Sequence, residues 1–213
     1  RVILEGPAPL GSSMGTLDGV DQIVANGLAL PSFDFHIPLM SLPLAFKTLI
    51  DTIPTAPTYL RSDPVKREQW LGVLGPKTRL RVGLVWSGRP AHGNDHNRSL
   101  PLPVLASALT DQYEFICLQK EIRPEDQALL DTLPVRQFSA QLHDFSDTAA
   151  LCDLMDIVIT VDTSVAHLAG ALGKPTWVLL PMPFEWRWLQ QGSDSPWYPS
   201  AKLYRQERMG AWE

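Results

Sequence analysis

The stretch DIVITVDTSVAHLAGALGKPTWVLLP, residues 156–181, indicates the fold of this chain. Residues 157–161 are a short β-branched run, typical of a buried parallel strand and too short for an independent helix. Asp162, Thr163 and Ser164 follow as three side chains of the N-cap type, and residues 166–172 continue as a helix of small residues. Gly173 ends that helix before Pro175, and the next strand is predicted at residues 176–180.

The start of this predicted helix favours anion binding. A helix that follows a strand presents free N–H groups and the positive end of its dipole at the carboxyl edge of the sheet. Phosphates bind at such edges in α/β proteins. We therefore expect an anion site around Thr163 and Ser164.

Length and composition limit the function. The chain has 213 residues, 45% of them hydrophobic, which is enough for one substantial core or two smaller ones. Its 18 basic and 23 acidic side chains give a net charge of −5, so no general basic field attracts nucleic acid. Cys117 and Cys152, at no metal-ligand spacing, are expected to be core thiols of a reducing compartment. The sequence shows no signal peptide or membrane-length apolar run, which favours a cytoplasmic protein without a membrane span.

The pattern of the chain predicts two lobes. Residues 1–60 are expected to form an α/β lobe, with strands at 1–5, 22–25 and 33–39 and an amphipathic helix at 41–53. Because the first strand opens the chain without an initiator Met, we expect this lobe to be incomplete. Residues 61–78, with scattered prolines and charges, are the predicted linker.

Residues 79–213 form the second predicted lobe, in which strands and helices alternate. Strands are expected at 80–86, 114–118 and 135–138, and helices at 102–109, 124–133 and 147–155, before the central stretch. This alternation predicts right-handed crossovers and a parallel sheet that binds ligands at the carboxyl ends of its strands.

Several loops are expected to meet at that edge. The loop SGRPAHGNDHNRSL begins at Ser87, and polar loops of this length are often functional, although a solvated loop is the alternative. Ser87 and Gly88 allow backbone N–H groups to approach a phosphate, and the guanidinium of Arg98 fits a diphosphate. Gln119 and Lys120 end the next strand, where a surface role for Lys120 is equally compatible with the pattern.

Two side chains of the central stretch have alternative interpretations. His167 lies one helical turn after Thr163 and faces the same way, but a core histidine bonded to a carbonyl would give the same spacing. Asp162 would repel phosphates, so it either caps its own helix or accepts hydrogen bonds from sugar hydroxyls. The tryptophans at 186, 188 and 197 are expected to cover a sheet edge, with Arg187 paired or facing the cleft; stacking on sugars or bases is the alternative.

The runs DTSVAHLAGALGKP, WVLLP, EWRWL and SPWYP resemble the C-terminal lobe of heptosyltransferase-type (family nine) glycosyltransferases. FDFHIPLMSLPL and VGLVWSG resemble in particular the branch of this family that is attached to tetratricopeptide repeats. The resemblance covers most of the chain. It implies a GT-B fold of two Rossmann-like lobes, which holds a nucleotide diphosphate-sugar in the cleft without a metal or other cofactor.

Some site residues of the family match this sequence by motif, and others match only by position. Its D-T/S-x-x-x-H pattern falls on Asp162, Thr163, Ser164 and His167, which implies contacts with the sugar and diphosphate of the donor. Its small-residue turn matches Ser87 and Gly88, and its following basic group most nearly matches Arg98. Gln119 and Lys120 match only by their position at a strand end.

The family's catalytic base has no clear counterpart. It is an acidic residue in a loop near the start of the N-terminal lobe, so we expect it upstream of Arg1. Asp34 and His36 are the nearest substitutes, and His36 is only a weak candidate.

The resemblance implies a glycosyltransferase that moves a sugar from a nucleotide diphosphate-sugar to a hydroxyl of a glycan, lipid or protein, with inversion. Two alternatives remain open. Epimerases and phosphorylases share the fold, and the chain would also suit a catalytically inactive nucleotide-sugar-binding or interaction module of a repeat protein.

Overall fold

The computed structural model describes residues 1–212 and shows an α/β chain. The first part contains β1 (Ile3–Gly6), α1 (Gly11–Met14), β2 (Gln22–Ala25), α2 (Leu42–Ala45) and α3 (Pro64–Leu74). The second part contains β3 (Leu80–Val85), α4 (Asp95–Arg98), α5 (Leu102–Ser107), β4 (Tyr113–Cys117), α6 (Pro124–Leu130), β5 (Val135–Arg136), α7 (Phe145–Asp153), β6 (Ile157–Val161), α8 (Ser164–Ala171), β7 (Thr176–Leu180) and β8 (Ala201–Arg205). Short 3₁₀ turns lie at Ala8–Leu10, Leu39–Ser41, Ile50–Thr52, Ser139–Gln141 and Trp186–Trp188.

All named strand pairs are parallel. β1 and β2 form a two-stranded sheet, and the other strands form a six-stranded sheet in the order β5-β4-β3-β6-β7-β8. The strand order reverses between β3 and β6, where Val85 lies beside Thr160. Ligands of doubly wound sheets bind at such a reversal. The predicted α/β class with parallel sheets is confirmed, and β8 is a strand that the sequence pattern did not predict.

Helices cover both faces of the six-stranded sheet. Trp70 of α3 and Leu168 of α8 pack with α7 and Val158 on one face, and Leu102 of α5 and Leu130 of α6 pack on the other. Both cysteines are buried in these clusters, where burial raises the pKa of each thiol to about 12. They are therefore core thiols, as predicted. No helix among residues 1–212 is long and apolar enough to cross a bilayer.

Two predictions for the first part are wrong. Residues 33–39 form no strand, and within 41–53 the α-helix extends only over Leu42–Ala45. The chain turns at Lys47, which has a φ of 53°, and Phe46 and Ile50 of the expected apolar face are 77% and 60% exposed. An amphipathic helix is stabilised mainly by burial of that face, which this segment does not achieve.

The segment predicted as a linker contains α3. Asp63 caps this helix by accepting hydrogen bonds from the N–H groups of Val65 (2.8 Å) and Lys66 (3.2 Å). Trp70 and Leu74 of α3 are buried against the six-stranded sheet. Residues 64–74 are therefore packed on the second part of the chain, while the domain boundaries themselves stay a prediction.

Candidate functional site

A cavity of about 1050 Å³ lies at the carboxyl ends of β6 and β7. The start of α8, the loop after β3, the segment after β7 and part of residues 39–43 form its walls. Its lining residues are Leu39, Met40, Pro43, His92, Asn94, Arg98, Asp162, Thr163, Ser164, His167, Pro181, Pro183, Phe184, Glu185, Trp186, Arg187, Trp197 and Tyr198. The structure thus brings together five of the nine predicted donor-binding residues, namely Arg98, Asp162, Thr163, Ser164 and His167.

The start of α8 opens into this cavity. Thr163 is the N-cap, and its hydroxyl accepts a hydrogen bond from the N–H of Val165 at 3.3 Å. The N–H of Ala166 donates to the Thr163 carbonyl at 3.0 Å. Within residues 1–212 the N–H groups of Thr163 and Ser164 have no recorded protein acceptor, and Ser164 is exposed. These two donors are available to an anion at the positive end of the helix dipole.

Arg98 reaches the same place from the loop after β3. Its Nη1 donates to the carbonyl of Asp162 at 3.0 Å, and its Nε lies 3.5 Å from Oδ1 of Asp95. Asp95 is buried and also pairs with Arg123. These contacts hold the guanidinium at the cavity wall beside the start of α8.

His167 stands one turn deeper in α8. Its Nδ1 lies 3.0 Å from the Tyr198 hydroxyl, and its ring stacks on Trp188 with a centroid distance of 5.0 Å and an interplanar angle of 16°. Burial lowers the pKa of His167; Asp162 acts against this shift, and Arg187 adds to it. The imidazole is therefore neutral at pH 7. Its partner is a phenol, so the alternative of a histidine bonded to a carbonyl is not what the structure shows.

Asp162 does not cap α8, because Thr163 occupies the N-cap position. Instead its Oδ1 accepts a hydrogen bond from the indole Nε1 of Trp188 at 2.9 Å. The capping interpretation is therefore wrong. Contacts of Asp162 with sugar hydroxyls stay a prediction.

Ser87, Gly88, Gln119 and Lys120 do not line the cavity. Gln119 Oε1 accepts hydrogen bonds from the N–H groups of Trp86 (2.7 Å) and Ser87 (2.9 Å), and its Nε2 donates to the Ser87 hydroxyl (3.1 Å). The N–H of Gly88 donates to the Ser99 hydroxyl at 3.1 Å. Gln119 therefore ties the ends of β3 and β4 together, and the expected N–H donors of this turn are engaged within the protein.

Lys120 lies at the surface, turned toward the residues before α7. Its Nζ donates to the carbonyls of Leu142 and His143, the latter at 3.4 Å. This position matches the surface role that the sequence left open. Donor binding by Lys120 or by the turn at Ser87 stays a prediction.

The tryptophans after β7 have different environments. Trp188 is completely buried, whereas Trp186 is 57% exposed and lines the cavity. The guanidinium of Arg187 lies 4.9 Å from the Trp186 ring centroid, and Trp197 meets Trp186 edge-on at 6.3 Å. The packing prediction therefore describes Trp188, while Trp186 and Trp197 present aromatic surface to the cavity.

Tyr198 and the wall from residues 39–43 were not predicted as site residues. Tyr198 is 31 positions from His167 in the chain, and no sequence spacing connects the two. His36 is exposed and does not line the cavity. Among residues 1–212 no group of three or more His, Cys, Asp or Glu side chains is arranged to hold a metal ion.

Comparisons with known proteins identify the fold. No family model matches the sequence. Protein FlbA of Caulobacter vibrioides is 27% identical over 191 residues, a match that covers 85% of this chain and 31% of FlbA. The chain therefore spans about a third of the length of that relative.

Two solved structures are similar. The E. coli ADP-heptose LPS heptosyltransferase II aligns with a TM-score of 0.44 and 15% identity over 73% of this chain and 48% of that one. The glycosyl transferase family 9 structure from Veillonella parvula aligns with a TM-score of 0.53 and 15% identity, covering 92% of this chain and 55% of that one. The chain thus has an α/β fold with parallel sheets that is similar to a family 9 glycosyl transferase structure.

Proposed function

We propose that the protein is a glycosyltransferase that takes its sugar from a nucleotide diphosphate-sugar. One observation carries the proposal: the free N–H groups at the start of α8 and the guanidinium of Arg98 meet in one large cavity at the reversal of the strand order. The volume of about 1050 Å³ suits a ligand of this size. The similarity in fold to a family 9 glycosyl transferase supports the same assignment.

The proposed reaction is a single displacement. An acceptor hydroxyl oxygen attacks the anomeric carbon, the bond from that carbon to the diphosphate oxygen breaks, and the nucleotide diphosphate leaves with the electron pair. Attack opposite to the leaving group inverts the anomeric configuration. The N–H groups of Thr163 and Ser164 and the guanidinium of Arg98 stabilise the charge on the leaving group without a metal ion, and one such preorganised donor contributes about 3 kcal/mol.

The acceptor proton needs a base, and the carboxylates of the cavity already have protein partners. Asp162 accepts from Trp188, and Glu185 pairs with Arg187 at 2.8 Å. No proton transfer is assigned to His36, which lies outside the cavity wall. A base in another part of the full-length protein stays a prediction, as do the glycan, lipid or protein acceptor, the tetratricopeptide-repeat branch and the cytoplasmic location.

One alternative needs fewer groups than the transferase. A module that binds a nucleotide sugar without transferring it needs the anion-binding donors and the cavity but no base. Such a module would bind donors with the same residues and would give no turnover in the full-length protein with any acceptor.

Titration with nucleotides tests the proposal. We expect at least one of ADP, UDP and GDP, or a corresponding nucleotide sugar, to bind at one site by calorimetry and to raise the melting temperature. Binding should persist in EDTA. If no member of this panel binds at millimolar concentration, the donor-binding function is refuted. Turnover by the full-length protein then separates the transferase from the inactive module.

A further inference from the structure

Trp186 presents its indole ring to the cavity, although the same turn of the chain buries a second tryptophan. The 3₁₀ turn Trp186–Trp188 follows β7, and Glu185 caps it by accepting a hydrogen bond from the N–H of Arg187 at 2.9 Å. Trp188 at the end of this turn is completely buried, whereas Trp186 at its start is 57% exposed and lines the cavity. An aromatic ring stabilises a core through burial, which Trp186 lacks, so its surface is available to a ligand.

Neighbouring side chains hold this exposed ring in place. The guanidinium of Arg187 lies 4.9 Å from the Trp186 ring centroid and is itself fixed by its ion pair with Glu185 at 2.8 Å. Trp197 meets the Trp186 ring edge-on, and its Nε1 donates to the carbonyl of Arg187 at 2.7 Å. Trp186 is therefore a preorganised surface, and a ligand that binds to such a surface orders few additional side chains.

The turn that carries Trp186 is attached to the start of α8. The indole Nε1 of Trp188 donates to Oδ1 of Asp162 at 2.9 Å. Within residues 1–212 the other oxygen of this carboxylate, Oδ2, accepts no hydrogen bond, and it is not among the buried polar atoms that lack one. Because Asp162 lines the cavity, Oδ2 can accept a hydrogen bond from a ligand there. The aromatic surface and a free carboxylate oxygen therefore lie beside the N–H donors of Thr163 and Ser164.

This combination fits a sugar better than a nucleobase. Sugar hydroxyls donate to carboxylate oxygens, and the C–H bonds on one face of a pyranose ring pack against an aromatic ring. In a nucleotide diphosphate-sugar the transferred sugar is bonded directly to the diphosphate, whereas the base is separated from it by the ribose. A diphosphate at the start of α8 therefore brings the sugar, rather than the base, next to Asp162 and the turn at Trp186.

We propose that the transferred sugar stacks on the ring of Trp186 and that this sugar is a neutral pyranose. The proposal rests on the proposed glycosyl transfer and names the class of its donor sugar. Around the ring, the two carboxylates of Asp162 and Glu185 stand against the single guanidinium of Arg187. The resulting negative charge accepts hydrogen bonds from hydroxyls and repels the carboxylate of an acidic sugar.

Two ligands compared in one variant test the stacking. The probes are the tightest binder among ADP, UDP and GDP and the matching nucleotide hexose, namely ADP-glucose, UDP-glucose or GDP-mannose. Trp186→Ala should weaken binding of the nucleotide hexose about tenfold and that of the diphosphate by less than about twofold, as measured by calorimetry. Equal weakening of both ligands would show that the ring contacts the nucleoside, and unchanged affinity for both would show no contact. Either result overturns the proposal.

Three further variants serve as controls. Trp177 is 41% exposed on β7 and does not line the cavity, so Trp177→Ala should leave both affinities unchanged. Arg98→Ala should weaken both ligands, because it acts on the diphosphate that they share. Trp186→Phe keeps an aromatic ring and should bind the nucleotide hexose more tightly than Trp186→Ala does. Equal affinities of these two Trp186 variants would contradict stacking.

A sugar carboxylate tests the proposed sugar class. The probes are a nucleotide hexose and the corresponding uronate of the same nucleotide, for example UDP-glucose and UDP-glucuronate. We expect the uronate to bind at least about tenfold more weakly, because its carboxylate meets the carboxylates of Asp162 and Glu185. Equal or tighter binding of the uronate overturns the assignment of a neutral sugar.

The same titrations separate this inference from the proposed function. If a diphosphate binds but none of the three nucleotide hexoses does, the sugar contact of Trp186 is overturned, while the anion site at the start of α8 stands. If no diphosphate and no nucleotide sugar binds at millimolar concentration, the proposed function is refuted and the sugar contact with it.

Discussion

The guanidinium of Arg98 packs directly against the backbone of Gly88. A β-carbon on Gly88 would stand 2.4 Å from Nη2 and 2.7 Å from Cζ of Arg98. Glycine in the turn after β3 therefore leaves the room that the side chain of Arg98 occupies beside the start of α8. This contact gives the small residue of the turn a role that differs from direct phosphate binding.

Replacement of Arg98 tests the main anion contact. Arg98→Ala should weaken binding of a nucleoside diphosphate by about tenfold or more, because a hydrogen bond to a charged group contributes about 1.5–3 kcal/mol. Arg98→Lys should restore little, since an ammonium group lacks the planar fork. Calorimetry measures both affinities. Unchanged affinity in Arg98→Ala would remove this residue from the site.

Gly88→Ala should act through Arg98. The added methyl group displaces the guanidinium, so nucleotide affinity is expected to fall in the same direction as in Arg98→Ala but by a smaller factor. Gly93→Ala is the matched control in the same loop, because a β-carbon there meets nothing within 4 Å. Equal affinities of the two glycine variants would contradict the packing role of Gly88.

Ser164→Asp separates binding from folding. Ser164 is exposed at the first position of α8, where a carboxylate stabilises the helix by about 0.3–1 kcal/mol. The same charge repels a diphosphate at that helix start. We expect an unchanged or slightly higher melting temperature together with loss of nucleotide binding. Ser107→Asp, on a helix outside the cavity, should leave the affinity unchanged. Retained binding in Ser164→Asp would place the anion elsewhere.

Two glycine-to-alanine changes in helices should have opposite effects on stability. Gly72 lies within α3 with nothing near its missing β-carbon, so Gly72→Ala should stabilise the fold by about 0.5–1 kcal/mol. Gly170→Ala forces the Tyr198 ring to move and should destabilise by about 1–3 kcal/mol. Urea denaturation measures both. Equal effects would show that Tyr198 does not need Gly170.

Stability should fall at acid pH through Asp144. Burial alone would raise its pKa, but hydrogen bonds from Ser146, Lys66 and the N–H of Asp147 lower it from 3.8 to about 2. A carboxyl group with a lowered pKa stabilises the fold above its unfolded pKa, and this contribution disappears as the pH falls from about 4 to about 2. With solvent screening of the half-exposed side chain, we expect a loss of about 1 kcal/mol.

Denaturation at several pH values measures this contribution. Asp144→Ala should be less stable than the wild type at neutral pH and should lose less stability on acidification, because Asp144 also caps α7. Asp51→Asn is the exposed control and should follow the wild-type profile. Parallel profiles of Asp144→Ala and the wild type would contradict the assignment.

The sequence alone determined that strands and helices alternate in the second part of the chain. The predicted strands at 157–161 and 176–180 agree with β6 and β7, and Ser164–Ala171 falls within the predicted turn and helix. These elements were predictable because β-branched runs, N-cap side chains and a closing glycine act over a few residues. The positions of Arg98 and the α8 start at one sheet edge followed from the same local pattern and the parallel topology.

Only the tertiary structure decided the remaining features. Residues 33–53 have local helix and strand patterns but little burial, and burial is what stabilises such elements. Gln119 satisfies the N–H groups of Trp86 and Ser87, a pairing set by the neighbouring strands β3 and β4, and its contact with a ligand stays a prediction. The contact between His167 and Tyr198 depends on the return of the chain past α8 before β8, and no local pattern encodes a contact over that sequence distance.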